Sequence, residues 1–282
     1  MAAAQPATQP HSLPAGTDPD PAAQRRICFP ATSPTKAPAT YRRDGIILWT
    51  DAPVDGEALV KHLEEVQSHL EAMFRPGQPA SASRPTTEAS PRPVALAVYA
   101  RAPDYDQFWQ RVAAHYNGRF GAITTEGFSY RVFCATSYDT PEKFARRRAL
   151  LCHEFAHVWL FQNRGLRNDG NWLTEGIATA VQLHFFPESG DRADFARWME
   201  TGQMLPLKRL MDLARIDLKH YWQAGTLVEL LLLRYREKLP AVVSAFNEGR
   251  SAYAIVTAVL ETDMPTLQRQ WAEHVRAAEP PR

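Results

Sequence analysis

The sequence predicts an α+β protein, a small mixed β-sheet lobe followed by a mostly helical lobe. Two observations carry this reading. Up to about residue 135, short apolar runs of strand character alternate with segments of helical period. After Thr140 every apolar segment repeats near 3.6 residues and extends over roughly 10 to 20 residues. With 282 residues, 45% of them hydrophobic, the chain is long enough to bury a core of ordinary size.

Residues 1–43 are dominated by Ala, Pro, Thr and Ser, with one apolar island at Ile27, Cys28 and Phe29. So little apolar surface does not offset ordering entropy, and the segment reads as a disordered tail. A strand is expected at 46–49. Asp55 is then placed to cap a helix in which Leu59, Leu63, Val66 and Leu70 recur at helical spacing, ending near Phe74. Residues 76–93, rich in Pro, Ser and Thr, read as a second disordered insert before the apolar strand 94–99. A helix near 104–115 and strands near 120–125 and 129–134 complete an α+β lobe spanning 44–135.

Thr140 suits an N-cap, Pro141 the first helical position, and Glu142 the positive end of the helix dipole, while Gly165 is a natural stop. One long helix is therefore expected from 141 to about 164. Further helices are expected near 172–186, 192–201, 206–214, 221–238, 240–247, 252–261 and 265–277. They build a helical lobe over 136–282, and residues 44–282 form one domain.

The composition excludes several function classes. Lys and Arg total 32 against 31 acidic residues, so no broad basic face for nucleic acid is implied. Cys28, Cys134 and Cys152 are too scattered for a disulfide framework or a thiolate zinc site, which fits a reducing, cytoplasmic compartment. No apolar run approaches the ~18 to 20 residues that span a bilayer, and no export signal follows Met1.

The long helix carries Cys152, His153, Glu154, Phe155, Ala156, His157, Val158 and Trp159, in which His153, Glu154 and His157 make an HExxH pattern. Two histidines four apart project from one helix face, so both imidazoles reach one metal ion at about 2.0 to 2.1 Å. Glu154 is rotated about 100° from that axis, the position wanted for a carboxylate that takes a proton from water beside the metal. The flanking Leu150, Leu151, Val158, Leu160 and Phe161 imply a buried helix, which rarely accommodates His-Glu-His without a use. Catalytic zinc usually keeps three protein ligands and leaves a place for water. Glu175, in the run Asn171, Trp172, Leu173, Thr174, Glu175, Gly176, Ile177, Ala178 one helix later, is the third candidate.

These two runs in this order resemble the gluzincin zinc peptidases of the thermolysin and aminopeptidase clan, and most closely the peptidase-MA-like domains of unknown function. Those domains also place a Tyr-containing helix after the glutamate, matched here by Tyr221, Trp222, Gln223, Ala224 and Gly225. The resemblance implies a zincin-like fold with the zinc-binding helix between the lobes, one Zn2+ per chain held by His153, His157 and Glu175, and Glu154 as general base. It further implies a peptide or protein substrate and an oxyanion donor, Tyr221 or the neighbouring His220. Thr179 stands where some relatives carry an acidic partner for a zinc histidine. Gly121, Ala122, Ile123, Thr124 and Thr125 stand where aminopeptidases of the clan carry a Gly-Ala-Met-Glu-Asn edge strand. The glutamate that grips a free amine there is Thr124 here, which argues against a standard aminopeptidase; Glu126 is two places off.

Other residues read as structural. Arg146, Arg147 and Arg148 are a solvated charge run, Cys152 a small buried residue, His184 a core histidine, and His62, His69 and His115 surface positions. Trp109, Trp159, Trp172, Trp222 and Trp271 read as core. The alternative to an enzyme is a relative of the same fold that keeps zinc for stability or binds peptides without cutting them.

Overall fold

A computed structural model of the protein describes residues 18–30, 38–75, 93–116, 126–189 and 192–277. They fall into two compact units, one within residues 1–67 and 84–163 and the other within 68–83 and 164–282. The architecture is α+β, with a five-stranded mixed sheet early in the chain and helices after it.

The first unit is built on that sheet, in the order β1-β2-β3-β5-β4. The central strands β2 (Ile46–Thr50), β3 (Val94–Tyr99) and β5 (Phe133–Ser137) are parallel and buried along their whole length. Parallel strands covered on both faces need such continuous apolar runs, which is why these segments read clearly in the sequence. The flanking strands β1 (Ala39–Arg43) and β4 (Gly127–Tyr130) run antiparallel to their neighbours. One sheet face, with Trp49, Tyr99, Phe133 and Phe128, joins an aromatic cluster completed by Phe108 and Trp109 of α3 (Ala102–His115) and by Cys28 and Phe29 at the end of α1 (Pro21–Cys28). Helix α2 (Gly56–Met73) is capped as expected, the amide of Ala58 donating to Asp55 Oδ1 at 3.0 Å.

Helix α4 (Pro141–Arg164) has the predicted limits. Thr140 Oγ1 accepts from the Lys143 amide at 3.3 Å, and Gly165 takes a φ of 66°, the left-handed conformation that ends a helix with least strain in glycine. Arg147 corrects the reading of a solvated charge run, for it is 5% exposed. Its guanidinium donates to Ser137 O, Ser137 Oγ, Asp139 Oδ2 and Glu126 Oε1, tying α4 to the end of β5. On a helix, residue 147 shares its face with Leu151 and Glu154, and that face is buried.

Two expectations are corrected. The tail is not wholly disordered, because its described parts include α1 and β1. Asp20 caps α1 with Pro21 at the first position, Tyr99 Oη and Arg111 Nη2 donate to the Cys28 carbonyl, and Cys28 and Phe29 of the apolar island are buried with Ile27 half-buried beside them. The strand expected at 129–134 is instead a hairpin, β4 and β5, which turns at Arg131 with φ 53°. The first compact unit runs past residue 135 and includes α4 up to Asn163. The strand expected at 120–125 and the insert at 76–92 lie outside the described residues.

The second unit contains α5 (Trp172–Phe185), α6 (Arg192–Glu200), α7 (Leu207–Asp212), α8 (Tyr221–Arg234), α9 (Leu239–Asn247), a short α10 (Ala252–Ala254) that runs into a π-helical turn, and α11 (Met264–Ala277). Its tightest pairing is α5 against α8. A Cβ added at Gly176 would lie 2.7 Å from the Ala224 carbonyl oxygen, and one at Gly225 would lie 2.7 Å from Thr179 Cγ2. Each helix thus offers a glycine to the other's bulk, and the backbones approach more closely than any side chain would allow. Trp271 is buried and donates from Nε1 to Thr226 Oγ1 at 3.0 Å, fixing α11 on α8. Trp109, Trp159 and Trp172 are buried as expected, while Trp222 is half-buried.

Candidate metal centre

In α4 the polar residues of the His-Glu-His run are buried among Leu151, Phe155, Ala156 and Val158. His153 is 4% exposed, Glu154 8% and His157 3%. One helical turn separates the two imidazoles, whose Nε2 atoms lie 3.0 Å apart. Two nitrogens bound to one zinc at about 2.05 Å and a tetrahedral angle are about 3.3 Å apart, so the pair is spaced for a shared ion.

Glu175 lies in the first turn of α5. Asn171 forms the cap, its Oδ1 accepting from the amides of Leu173 at 3.1 Å and Thr174 at 3.0 Å. The cap explains why the helix starts there and so fixes the orientation of its fourth residue. Gly176, pressed on Ala224, fixes α5 next to Glu175, which is 3% exposed.

His153, His157 and Glu175 form one buried group, their possible ligand atoms all within 4.8 Å of one another. Two imidazoles and a carboxylate are the donor set that suits a divalent transition metal, so the group can hold a metal ion.

Glu154 is hydrogen-bonded by Ser129 of β4, whose Oγ donates to Oε2 at 2.6 Å. This partner was missed in the sequence. Only strand parity could have revealed it, by placing Ser129 on the face opposite Phe128 and Tyr130.

Tyr221 opens α8, half-buried, on the stripe that continues with Ala224, Gly225 and Val228, the contacts of α5. His220 precedes it as the N-cap residue and is 4% exposed. Burial first, and Lys219 after it, hold the His220 imidazole below its usual pKa, while Asp217 and a hydrogen bond with Gln223 oppose them. The imidazole is therefore the neutral form at pH 7. Thr179 packs against Gly225.

The remaining candidates lie elsewhere. Cys152 is buried, its thiol pushed up to about 12 by desolvation, with Sγ 3.4 Å from His62 Nε2. His184 is exposed rather than core and stacks on His69 with ring centroids 3.9 Å apart. Glu126 is engaged by Arg147 at 2.9 Å, and residues 121–125 lie outside the described residues.

Compared with known proteins, the chain matches no protein-family model and no curated relative. No described helix is long and apolar enough to cross a membrane.

Proposed function

We propose that this chain is a zinc-dependent peptidase in which His153, His157 and Glu175 hold the metal and Glu154 is the general base. One observation carries the reading: the three candidate ligands form a single buried group, and a hydrogen-bonded carboxylate follows the first of them by one residue. The resemblance of the two sequence runs to gluzincins supports it.

Zinc bound there supplies a Lewis acid that polarises a carbonyl and acidifies water. Glu154 takes the proton from the attacking water and returns it to the leaving amine. Tyr221, with His220 as the alternative, donates a hydrogen bond to the developing oxyanion. Among the described residues the group has three members, the number that leaves a coordination place for reactants, whereas a structural zinc site closes with a fourth Cys or His. A standard aminopeptidase is disfavoured, because Thr124 stands where aminopeptidases of the clan carry their glutamate and Glu126, two places on, is bonded to Arg147.

Metal content and turnover test this together. Purified protein should carry about one zinc per chain, and His153→Ala and Glu175→Ala should each lose it. Glu154→Gln should keep zinc and abolish cleavage of a mixed peptide library. A Glu154→Gln variant that works as well as the parent would assign the chain to the non-catalytic alternative. A parent that binds no zinc after reconstitution would remove the metal reading altogether.

A further inference from the structure

The two faces of β4 serve different neighbours. Phe128 packs edge-on to Trp109, with centroids 4.6 Å apart, and Tyr130 to Tyr116 at 5.3 Å. Side chains alternate along a strand, so Gly127 and Ser129 point to the opposite face. There a Cβ at Gly127 would come 3.0 Å from Leu150 and 3.5 Å from Glu154 Cγ. Ser129, 1% exposed, donates to Glu154 Oε2 at 2.6 Å. Opposite Ser129 in the ladder is the small, buried Cys134.

We infer that Ser129 is a positioning residue for Glu154, an assignment that rests on the peptidase reading above. A glutamate carries three side-chain torsions, and a general base works only from a narrow range of them. A short bond from hydroxyl to carboxylate is among the stronger neutral-to-charged contacts, and here it holds Oε2 to a rigid, paired strand. Oε1 is then the oxygen for proton transfer, presented without a rotamer search. Gly127 provides the room that the side chain of Leu150 occupies beside Glu154. The strand register sets both at once, since a slip of one residue would put Phe128 against the carboxylate.

Three substitutions at Ser129 test the assignment on the full-length, zinc-reconstituted chain, with a fluorogenic peptide library as substrate. Ser129→Ala should lower kcat about ten- to a hundred-fold with KM and zinc content unchanged, the usual range for the partner of a catalytic group. Ser129→Thr, which keeps the hydroxyl, should recover most of the loss. Ser129→Cys, close in size but a weaker donor, should not; it also serves if Ser129→Ala misfolds. A readout independent of turnover comes from melting temperatures. Ser129→Ala should lower the midpoint in the parent but by less in a Glu154→Ala background, because the bond is already gone. Equal kcat in parent and Ser129→Ala, or equal midpoint shifts in the two backgrounds, would overturn the assignment while leaving the peptidase reading intact. Failure of that reading has a different signature, a parent that cleaves no better than Glu154→Gln, and it would end both.

Discussion

The glycines at the α5–α8 crossing allow a prediction whose two halves respond differently to rescue. In Gly225→Ala the new methyl would sit 2.7 Å from Thr179 Cγ2 and 3.0 Å from its Cβ, both side-chain atoms. In Gly176→Ala it would sit 2.7 Å from the Ala224 carbonyl oxygen and 3.0 Å from the Ala224 carbonyl carbon, which are backbone, and 2.9 Å from Val228 Cγ2. Apolar contacts settle at about 3.5 to 4.0 Å, so each substitution forces the helices apart or distorts a neighbour. Overpacking of this kind costs about 1–3 kcal/mol, opposed by about 1 kcal/mol of helix propensity gained over glycine. Contacts under 3 Å call on the upper part of that range, about 2–3 kcal/mol, so the net loss should be about 1–2 kcal/mol, or a fall of about 2–8 °C in melting temperature for a domain of this size. Adding Thr179→Ser to Gly225→Ala removes the Cγ2 atom that collides and should restore much of the loss. No side-chain substitution should rescue Gly176→Ala to the same extent, and that variant should also hold a metal ion at the His153, His157 and Glu175 group less tightly, since Glu175 is the adjacent residue. Calorimetry with and without a chelator reads both effects. A Gly225→Ala chain that melts at or above the parent, or one that Thr179→Ser fails to improve, would refute the close-contact account.

Three other expectations follow from features of single units. Arg147→Met should cost about 2–3 kcal/mol in urea titration, less than the 3–5 of a fully buried pair because Glu126 is 61% exposed. His69 is held down to about 4 by burial first, then by His184 and Arg236, against 6.5 for a free imidazole. Between those values the unfolded chain binds the proton and the folded chain does not, so stability should fall as pH drops from about 6.5 towards 4. His69→Phe should flatten that part of the urea-midpoint profile, and an unchanged slope would exclude His69 as its source. Removing residues 1–30 should strip Cys28 and Phe29 from the aromatic cluster and take from Arg111 its carbonyl partners. A loss of near-ultraviolet circular dichroism together with a lower melting point would register it.

Where the sequence spoke clearly, local signals and burial agreed. Thr140, Pro141 and Gly165 bounded α4 because capping chemistry is local. The spacing of His153 and His157 was legible because helical periodicity alone brings the rings together. Long-range facts were not legible. Arg147 reads as one of three surface arginines until Ser137 at the end of β5 supplies a carbonyl partner and Asp139 and Glu126 supply carboxylates. The β4–β5 turn escaped notice because Arg131 takes a left-handed φ at a place with no glycine or asparagine to announce it. Helix α1 had a signal, Asp20 followed by Pro21, but the surrounding Ala and Pro masked it, and only the aromatic cluster with Tyr99 and Phe108 gives its apolar island somewhere to pack.

The exposed strand β1 bears on how the chain behaves in solution. It carries Tyr41, Arg42 and Arg43, and Arg43 reaches towards Glu57 and Glu64. Composition alone would place the start of the folded region at residue 44, and a truncation there would remove β1 and leave β2, Ile-Ile-Leu-Trp-Thr, with unpaired amides and carbonyls. Such a strand is uncharged, β-prone and free of proline, the pattern that recruits a second copy into intermolecular sheet. In colloidal terms the arginines of β1 are gatekeepers, and a chain shortened past them should aggregate during expression where one beginning before Ala39 stays dispersed.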